Sequence, residues 1–285
     1  MKGKLGNDPG GSVYDRIQET STFLRARTQA QPRFGLILGT GLGRLAELID
    51  TTRVIPYAEI PNFVPSTAES HAGNLVFGRL GGLEVVAMQG RLHFYEGYTL
   101  QQVTFPVRVM KALGADSLIA SSAVGGMNPR LNPGDLVAIE DHINLMGANP
   151  LIGPNDERLG ERFPDMSEPY DRAYLRLLQA CAIDLKIQVQ LGVFVAVAGP
   201  NLETAAEYRF LRGMGADVVG MSLVPECIVA VHSGMRVLAL AIVTDECLPD
   251  RLQRADVAKI IRTANEAEPV LSRLVVEFLR RSESA

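Results

Sequence analysis

The sequence predicts an α/β fold: a single domain in which a mixed β-sheet is flanked by helices. Three observations carry that prediction. Short apolar, β-rich runs alternate along the chain with amphipathic helical segments. The pair Gly81-Gly82 between two such runs reads as a hairpin, so the sheet is mixed rather than wholly parallel. No linker, repeat or low-complexity block divides the 285 residues, 47% of them hydrophobic and 21% charged. That is an ordinary globular balance, with length enough for a large core.

In chain order, residues 1–12 are polar and glycine-rich and read as a flexible tail without the apolar core of a signal peptide. The domain is expected over 13–285, opening on a helix at 13–30. Strands are expected at 34–38, 74–79, 84–89, 117–122, 135–140, 193–198 and 237–244, each a short β-rich run bounded by Gly, Pro or Asn. Helices are expected at 99–113, 170–183, 204–214, 225–233 and 255–281. Two long proline-containing segments, 56–73 and 146–169, lack periodicity. Segments of that length in a compact domain are either functional or tolerated surface insertions.

Several function classes fall away. The net charge is −4 with no Lys/Arg-rich run, which argues against a nucleic-acid partner. No apolar stretch reaches the roughly 18–20 residues of a membrane span. Cys181, Cys227 and Cys247 are widely spaced, as in a cytoplasmic protein with reduced, buried thiols. His71, His93, His142 and His232 form no metal-ligand spacing, so no metal site is expected.

What remains is a set of polar motifs at the ends of expected strands. Gly39-Thr40-Gly41-Leu42-Gly43 follows the first. Its glycines suit a nest of backbone N–H groups for an anion. It departs from the dinucleotide fingerprint at Arg44 and lacks the Gly-Lys-Ser/Thr of a nucleotide loop; a plain strand-to-helix turn is the other reading. Gly90-Arg91-Leu92-His93-Phe94-Tyr95-Glu96-Gly97 follows another strand. If extended, it turns Arg91, His93 and Tyr95 to one face, where the Arg fork fits phosphate oxygens. Ser121-Ser122-Ala123-Val124-Gly125-Gly126, Gly220-Met221-Ser222 and Val243-Thr244-Asp245-Glu246 lie at further strand ends. Glu203, in Gly199-Pro200-Asn201-Leu202-Glu203-Thr204, either faces a ligand or serves a helix N-terminus.

Together these motifs resemble the trimeric purine nucleoside phosphorylases, a family that also includes methylthioadenosine phosphorylases. The resemblance covers nearly the whole chain beyond the tail. It is most specific at 59–63, at His71-Ala72-Gly73, at 89–98, 104–108, 141–145 and 153–158, and at Gly220-Met221-Ser222. It implies a nucleoside phosphorylase-like fold and a cytoplasmic homotrimer that acts without a cofactor, inorganic phosphate being a co-substrate. It implies phosphate contacts from Thr40, His71, Arg91, His93, Ala123 and Ser222, and ribose contacts from Tyr95, Met221 and Phe163, the last lent to a neighbouring subunit. It implies that Leu202, Glu203, Val219 and Asp245 face the purine, with His93, Glu203 and Asp245 carrying catalysis.

Two positions depart from the family pattern. Relatives that cleave 6-oxopurine nucleosides usually carry Asn where this chain has Asp245, whereas Glu203 is itself a 6-oxopurine feature. A protonated Asp245 would restore a donor towards the base. Near the sugar's 5′ position stands Val257 in place of His, which fits a 5′-methylthio group. Methylthioadenosine phosphorolysis is therefore the nearest alternative. A non-catalytic nucleoside- or phosphate-binding protein is the alternative from another class, and a dinucleotide oxidoreductase is more distant.

Overall fold

The computed structural model describes residues 11–39, 43–66 and 72–282. Residues 1–10 of the expected tail, and Thr40 and His71 of the expected phosphate set, lie outside them.

The first helix, α1 (Val13–Arg25), starts on a capping box between Ser12 and Asp15 and stops five residues short of the expected 30. Strand β1 (Phe34–Leu38) is buried at every position. A short helix, α2 (Gly43–Glu47), and strand β2 (Asp50–Pro56) come next, neither of them expected. β3 (Asn74–Leu80) and β4 (Leu83–Gln89) form the predicted antiparallel hairpin. Gly81 and Gly82, at φ 59° and 91°, make its turn. Helix α3 (Leu100–Leu113) runs from a Thr99–Gln102 capping box to a left-handed Gly114. Strands β5 (Ser117–Gly126) and β6 (Leu136–Leu145), helix α4 (Arg172–Leu185) and strand β7 (Val189–Val197) follow. The chain closes with α5 (Ala205–Gly213), β8 (Val218–Gly220), α6 (Val224–His232), β9 (Arg236–Glu246) and α7 (Val257–Ser282).

Among the described residues nine strands form one mixed sheet, in the order β2-β3-β4-β1-β5-β8-β7-β6-β9. The mixed α/β class holds, with one addition: β9 also pairs along β5, from Ser117 to Gly126. Strands β5, β8, β7, β6 and β9 therefore close into a ring, which the sequence reading does not anticipate.

That closure positions the site. β9 occupies one edge of β5 along its length. β1 takes the other edge over Ser117–Ala120, and β8 takes it at Gly125–Gly126. Between them, among the described residues, the edge of residues 121–124 has no strand partner. A gap of this kind, where neighbouring strands diverge, is where open α/β sheets bind ligands.

The core is held by large apolar side chains on both faces of the sheet. Phe34, Tyr174 and Phe278 bring β1, α4 and α7 together, with centroids 5.2–6.3 Å apart. Phe278 has no exposed surface. A Phe278→Ala change should cost about 3–5 kcal/mol of stability, read by chemical denaturation, with activity per folded molecule unchanged. A loss under 1 kcal/mol would mean that this helix contributes little to the core.

Candidate active site

The unpartnered edge of β5 opens into a cavity of about 290 Å³. A larger and more open groove of about 490 Å³ lies between α4 and strands β6 and β7, but it holds none of the expected site residues. The smaller cavity gathers Arg91, His93, Tyr95, Ala123, Leu202, Glu203, Val219, Met221, Ser222 and Asp245 from separate parts of the chain. Phe163 is not among its lining residues and is 84% exposed in the long segment 146–169.

One polar cluster centres on Arg91, of which only 1% is exposed. Its Nη1 donates to Ser121 O at 2.7 Å and Ser222 Oγ at 3.0 Å. Its Nε and Nη2 donate to Glu226 Oε1 at 3.2 and 2.6 Å. A buried charge requires such a partner, and the pair as a unit carries no net charge. An anion in this corner would therefore meet directed donors more than an excess of positive charge. Ser222 Oγ lies 3.1 Å from Ser122 Oγ, so two hydroxyls extend the cluster. Ser222 is held there by a tight γ-turn: Val224 N donates to Ser222 O, and Leu223 sits at φ 71°. A buried non-glycine residue in that region is strained. Here Pro225 and the start of α6 hold it in place.

The glycine loop approaches the same corner. Gly39 N donates to Ser121 Oγ at 3.2 Å. A Cβ on Gly39 would stand 2.6 Å from Ser121 O, so only glycine lets β1 pass this close to β5.

His93 and Tyr95 reach the cavity by a different route from the extended one expected. After His93 the chain tightens into a 3₁₀ turn, Phe94–Glu96. The turn stacks the two rings at 4.7 Å and 16°. Glu96 Oε1 accepts from His93 N at 2.8 Å and lies 3.0 Å from Nδ1, which favours the tautomer with its proton on Nδ1.

A second polar cluster holds the carboxylates. Helix α5 is capped by Thr204 and Glu207, which form a capping box. Glu203 is therefore not needed as the cap, and it lines the cavity. Burial, above all, pushes the Glu203 carboxyl above its usual value, and Glu207 and Asp245 add to this. Its own backbone N–H and Tyr208 act in the opposite direction. Asp245 Oδ1 accepts from Thr244 Oγ1 at 2.8 Å, and Oδ2 from the Cys247 thiol at 3.1 Å. Met221 packs against Gly199, where a Cβ would meet its sulfur at 2.3 Å. The remaining wall is apolar: Val257, Ile260 and Ile261 from the first turns of α7.

Sequence reasoning missed Glu226, Tyr208 and Cys247. Glu226 carried a signal: a lone carboxylate in the apolar run Val224-Pro225-Glu226-Cys227-Ile228-Val229 calls for a buried cation. Tyr208 and Cys247 carried none. All three cysteines are buried with free thiols. Among the described residues, no group of three or more His, Cys, Asp or Glu side chains is placed to hold a metal ion.

The family model described as the Phosphorylase superfamily matches residues 33–280. The chain is 54% identical over 233 residues to purine nucleoside phosphorylase 1 of Bacillus subtilis (strain 168), covering 82% of this chain and 86% of that one. It is 50% identical over 264 residues to purine nucleoside phosphorylase 1 of Geobacillus stearothermophilus, covering 93% and 96%. Among solved structures, a Schistosoma purine nucleoside phosphorylase in complex with hypoxanthine superposes with a TM-score of 0.90 at 38% identity. That match covers 95% of this chain and 99% of the other.

Proposed function

Since the chain belongs to the purine nucleoside phosphorylase family, we propose that it cleaves purine ribo- and 2′-deoxyribonucleosides with inorganic phosphate, giving free base and α-(deoxy)ribose 1-phosphate. One observation carries this reading: a neutralised arginine with two hydroxyls, and a pair of carboxylates, converge on a single cavity. A nucleoside binder has little use for an anion corner beneath the sugar.

The chemistry follows from that placement. As the C1′–N9 bond lengthens, the sugar gains positive charge and the departing purine gains negative charge. Phosphate held by Arg91, Ser222, His93 and the Ala123 N–H, with Thr40 and His71 completing the set, stabilises the first charge. One of its oxygens then forms the bond to C1′. The electron pair of the broken bond leaves with the base, which takes up at N7 a proton from solvent, balanced by the one that monohydrogen phosphate gives up as it becomes the ester dianion. Neutral donors share the binding, so the phosphate keeps its nucleophilicity. Glu203 accepts from N1–H of a 6-oxopurine, Asp245 stands towards the N7 side, and Leu202 and Val219 pack on the ring. Tyr95 and Met221 contact the ribose. Phosphate is a reactant and nothing is oxidised or reduced, so the scheme invokes no cofactor.

Phe163 fits the same scheme in a homotrimer, where an aromatic ring that is 84% exposed would cover a neighbour's sugar. The substrates are small and water-soluble, and among the described residues no helix is long and apolar enough to cross a membrane. We place the activity in the cytoplasm.

Inosine, guanosine, adenosine and methylthioadenosine, each assayed with and without phosphate, test the proposal. Base release from inosine and guanosine is expected only with phosphate, with slower but measurable release from adenosine. No release from any nucleoside would favour a non-catalytic binder. The apolar wall of Val257, Ile260 and Ile261 supports methylthioadenosine as a second substrate, and turnover of that compound above inosine would make it the primary one. Asp245→Asn should raise the inosine-to-adenosine ratio of kcat/KM by about tenfold, one hydrogen bond's discrimination. An unchanged ratio would mean that Asp245 does not face the base.

A further inference from the structure

Segment 146–169, between β6 and α4, carries Phe163 and contains no helix or strand. Hydrogen bonds within the segment hold its shape instead. Arg162 Nη1 donates to Gly153 O at 2.8 Å, and Asn155 Nδ2 donates to Gly160 O at 3.2 Å. Asp156 accepts from Nε and Nη2 of Arg158 at 2.8 and 2.6 Å. The same Arg158 guanidinium lies over the Tyr14 ring of α1, 3.8 Å from its centroid. A tighter seat is two residues further on, where Gly160 lies on His232, the last residue of α6. At φ 148° Gly160 occupies backbone space that side chains disfavour. A Cβ there would fall on the His232 carbonyl oxygen, and 2.8 Å from both Cε1 and Nδ1 of its ring. His232 has little room to give way. It is 7% exposed, and its Nδ1 lies 3.3 Å from Nη1 of Arg108 in α3. A guanidinium only donates, so Nδ1 is the acceptor and the imidazole is neutral. Burial and the Arg108 charge, which hold the imidazole below its usual value, agree with that.

We propose that Gly160 and His232 are positioning residues for Phe163: their close contact seats segment 146–169 on the end of α6 and so sets where the Phe163 ring stands. This inference rests on the proposed phosphorolysis, and within it on Phe163 as the ring that covers a neighbour's sugar. Phe163 follows Gly160 by three residues, and its ring is 84% exposed. With so little of the ring covered, its place is set by the backbone that carries it. That backbone takes its position from α6. The nine-residue helix begins at Val224, two residues after Ser222 of the anion corner, and ends at His232. One short helix therefore ties the phosphate side of a subunit's own cavity to the segment that the subunit offers its neighbour. Only a glycine at 160 lets the segment come down onto the helix end.

The test is a double-mutant cycle, with kcat/KM for inosine and KM for phosphate measured in the wild type, Phe163→Ala, Gly160→Ala and the two changes together. Phe163→Ala should lower kcat/KM for inosine by about tenfold to a hundredfold, the loss of one aromatic side chain's burial. Gly160→Ala should lower it by about tenfold, because the added Cβ must lift the segment by on the order of 1 Å. The double variant should be no worse than Phe163→Ala alone, since a misplaced ring matters only while the ring is there. KM for phosphate should not change in any of them, whereas a merely structural lesion would disturb both substrates. If Gly160→Ala does not fold, His232→Ala decides in its place: it removes the ring beneath Gly160, and its loss, about threefold, should likewise vanish in the Phe163→Ala background. Losses that multiply in the double variant, or a Gly160→Ala enzyme as active as the wild type beside a weakened Phe163→Ala, would overturn this inference alone. A Phe163→Ala enzyme with unchanged kinetics would remove the role of Phe163 and this inference with it, and a wild type without phosphate-dependent release would remove the phosphorolysis reading as well.

Discussion

Replacing Arg91 by alanine should lower kcat/KM for phosphorolysis by about 10³-fold, the upper range for loss of one directed donor at developing charge. The loss should appear mainly as a raised KM for phosphate, because Arg91 belongs to the anion corner and not to the carboxylate wall. The same change should destabilise the fold by about 3–5 kcal/mol, since it strands Glu226 as a buried and uncompensated charge. Glu226 is only 2% exposed, and its Oε1 accepts from both Nε and Nη2 of Arg91. The two effects can be separated. Arg91→Ala combined with Glu226→Leu removes both charges and should recover most of the melting temperature without recovering activity. If the double variant recovers both, Arg91 is a structural ion-pair partner and phosphate binds elsewhere. Arg91→Lys should fall between, as a point charge cannot engage Glu226, Ser121 and Ser222 together.

Replacing Glu203 by glutamine should lower kcat/KM for inosine by about 10²–10³-fold and leave KM for phosphate unchanged. The pH profile makes this more specific. Burial is the foremost cause holding the Glu203 carboxyl above its ordinary value of 4.5. Inosine turnover, which needs the ionised form, should therefore switch on only as the pH rises through that raised value. The acid limb should lie above 4.5 in the wild type and vanish in Glu203→Gln. Stability runs the other way. The folded state binds this proton more tightly than the unfolded state, so the group's contribution to stability is full below 4.5 and is lost as the pH rises through the folded value. An acid limb that persists unchanged in Glu203→Gln would belong to another group and would move the base-recognition role away from this residue.

The parts of the fold that were legible in the sequence are those whose burial is complete. β1 is five consecutive buried residues, and such runs announce themselves without any alternation. The hairpin of β3 and β4 was legible through Gly81-Gly82. β2 was not: six of its seven residues are exposed, so Asp50-Thr51-Thr52-Arg53-Val54-Ile55-Pro56 shows no apolar pattern to find. β8 is three residues long, too short for any period. The ring closure was invisible because it depends on which strands share the edges of β5, a relation among residues 92 to 120 positions apart.

The site divides in the same way. Arg91, His93, Ala123, Ser222, Glu203 and Asp245 were legible because each stands at or just beyond the end of an apolar run expected to be a strand. The family pattern at those positions supplied the roles proposed for them. The supporting residues were not. Glu226 hides in the apolar stripe of α6, and Tyr208 in the ordinary amphipathic pattern of α5. Their polar tips acquire meaning only once Arg91 and Glu203 are seen beside them. Tyr95 was placed in the right cavity for the wrong reason, since a 3₁₀ turn rather than an extended strand delivers it.

The central claim is that phosphate, and not water, takes the sugar. Phosphorus NMR of the enzyme turning over inosine in excess phosphate tests it most directly. The account predicts a new phosphomonoester resonance for α-ribose 1-phosphate that grows mole for mole with released hypoxanthine, and no hypoxanthine when phosphate is withheld. Hypoxanthine appearing with free ribose, at a rate indifferent to phosphate, would contradict it.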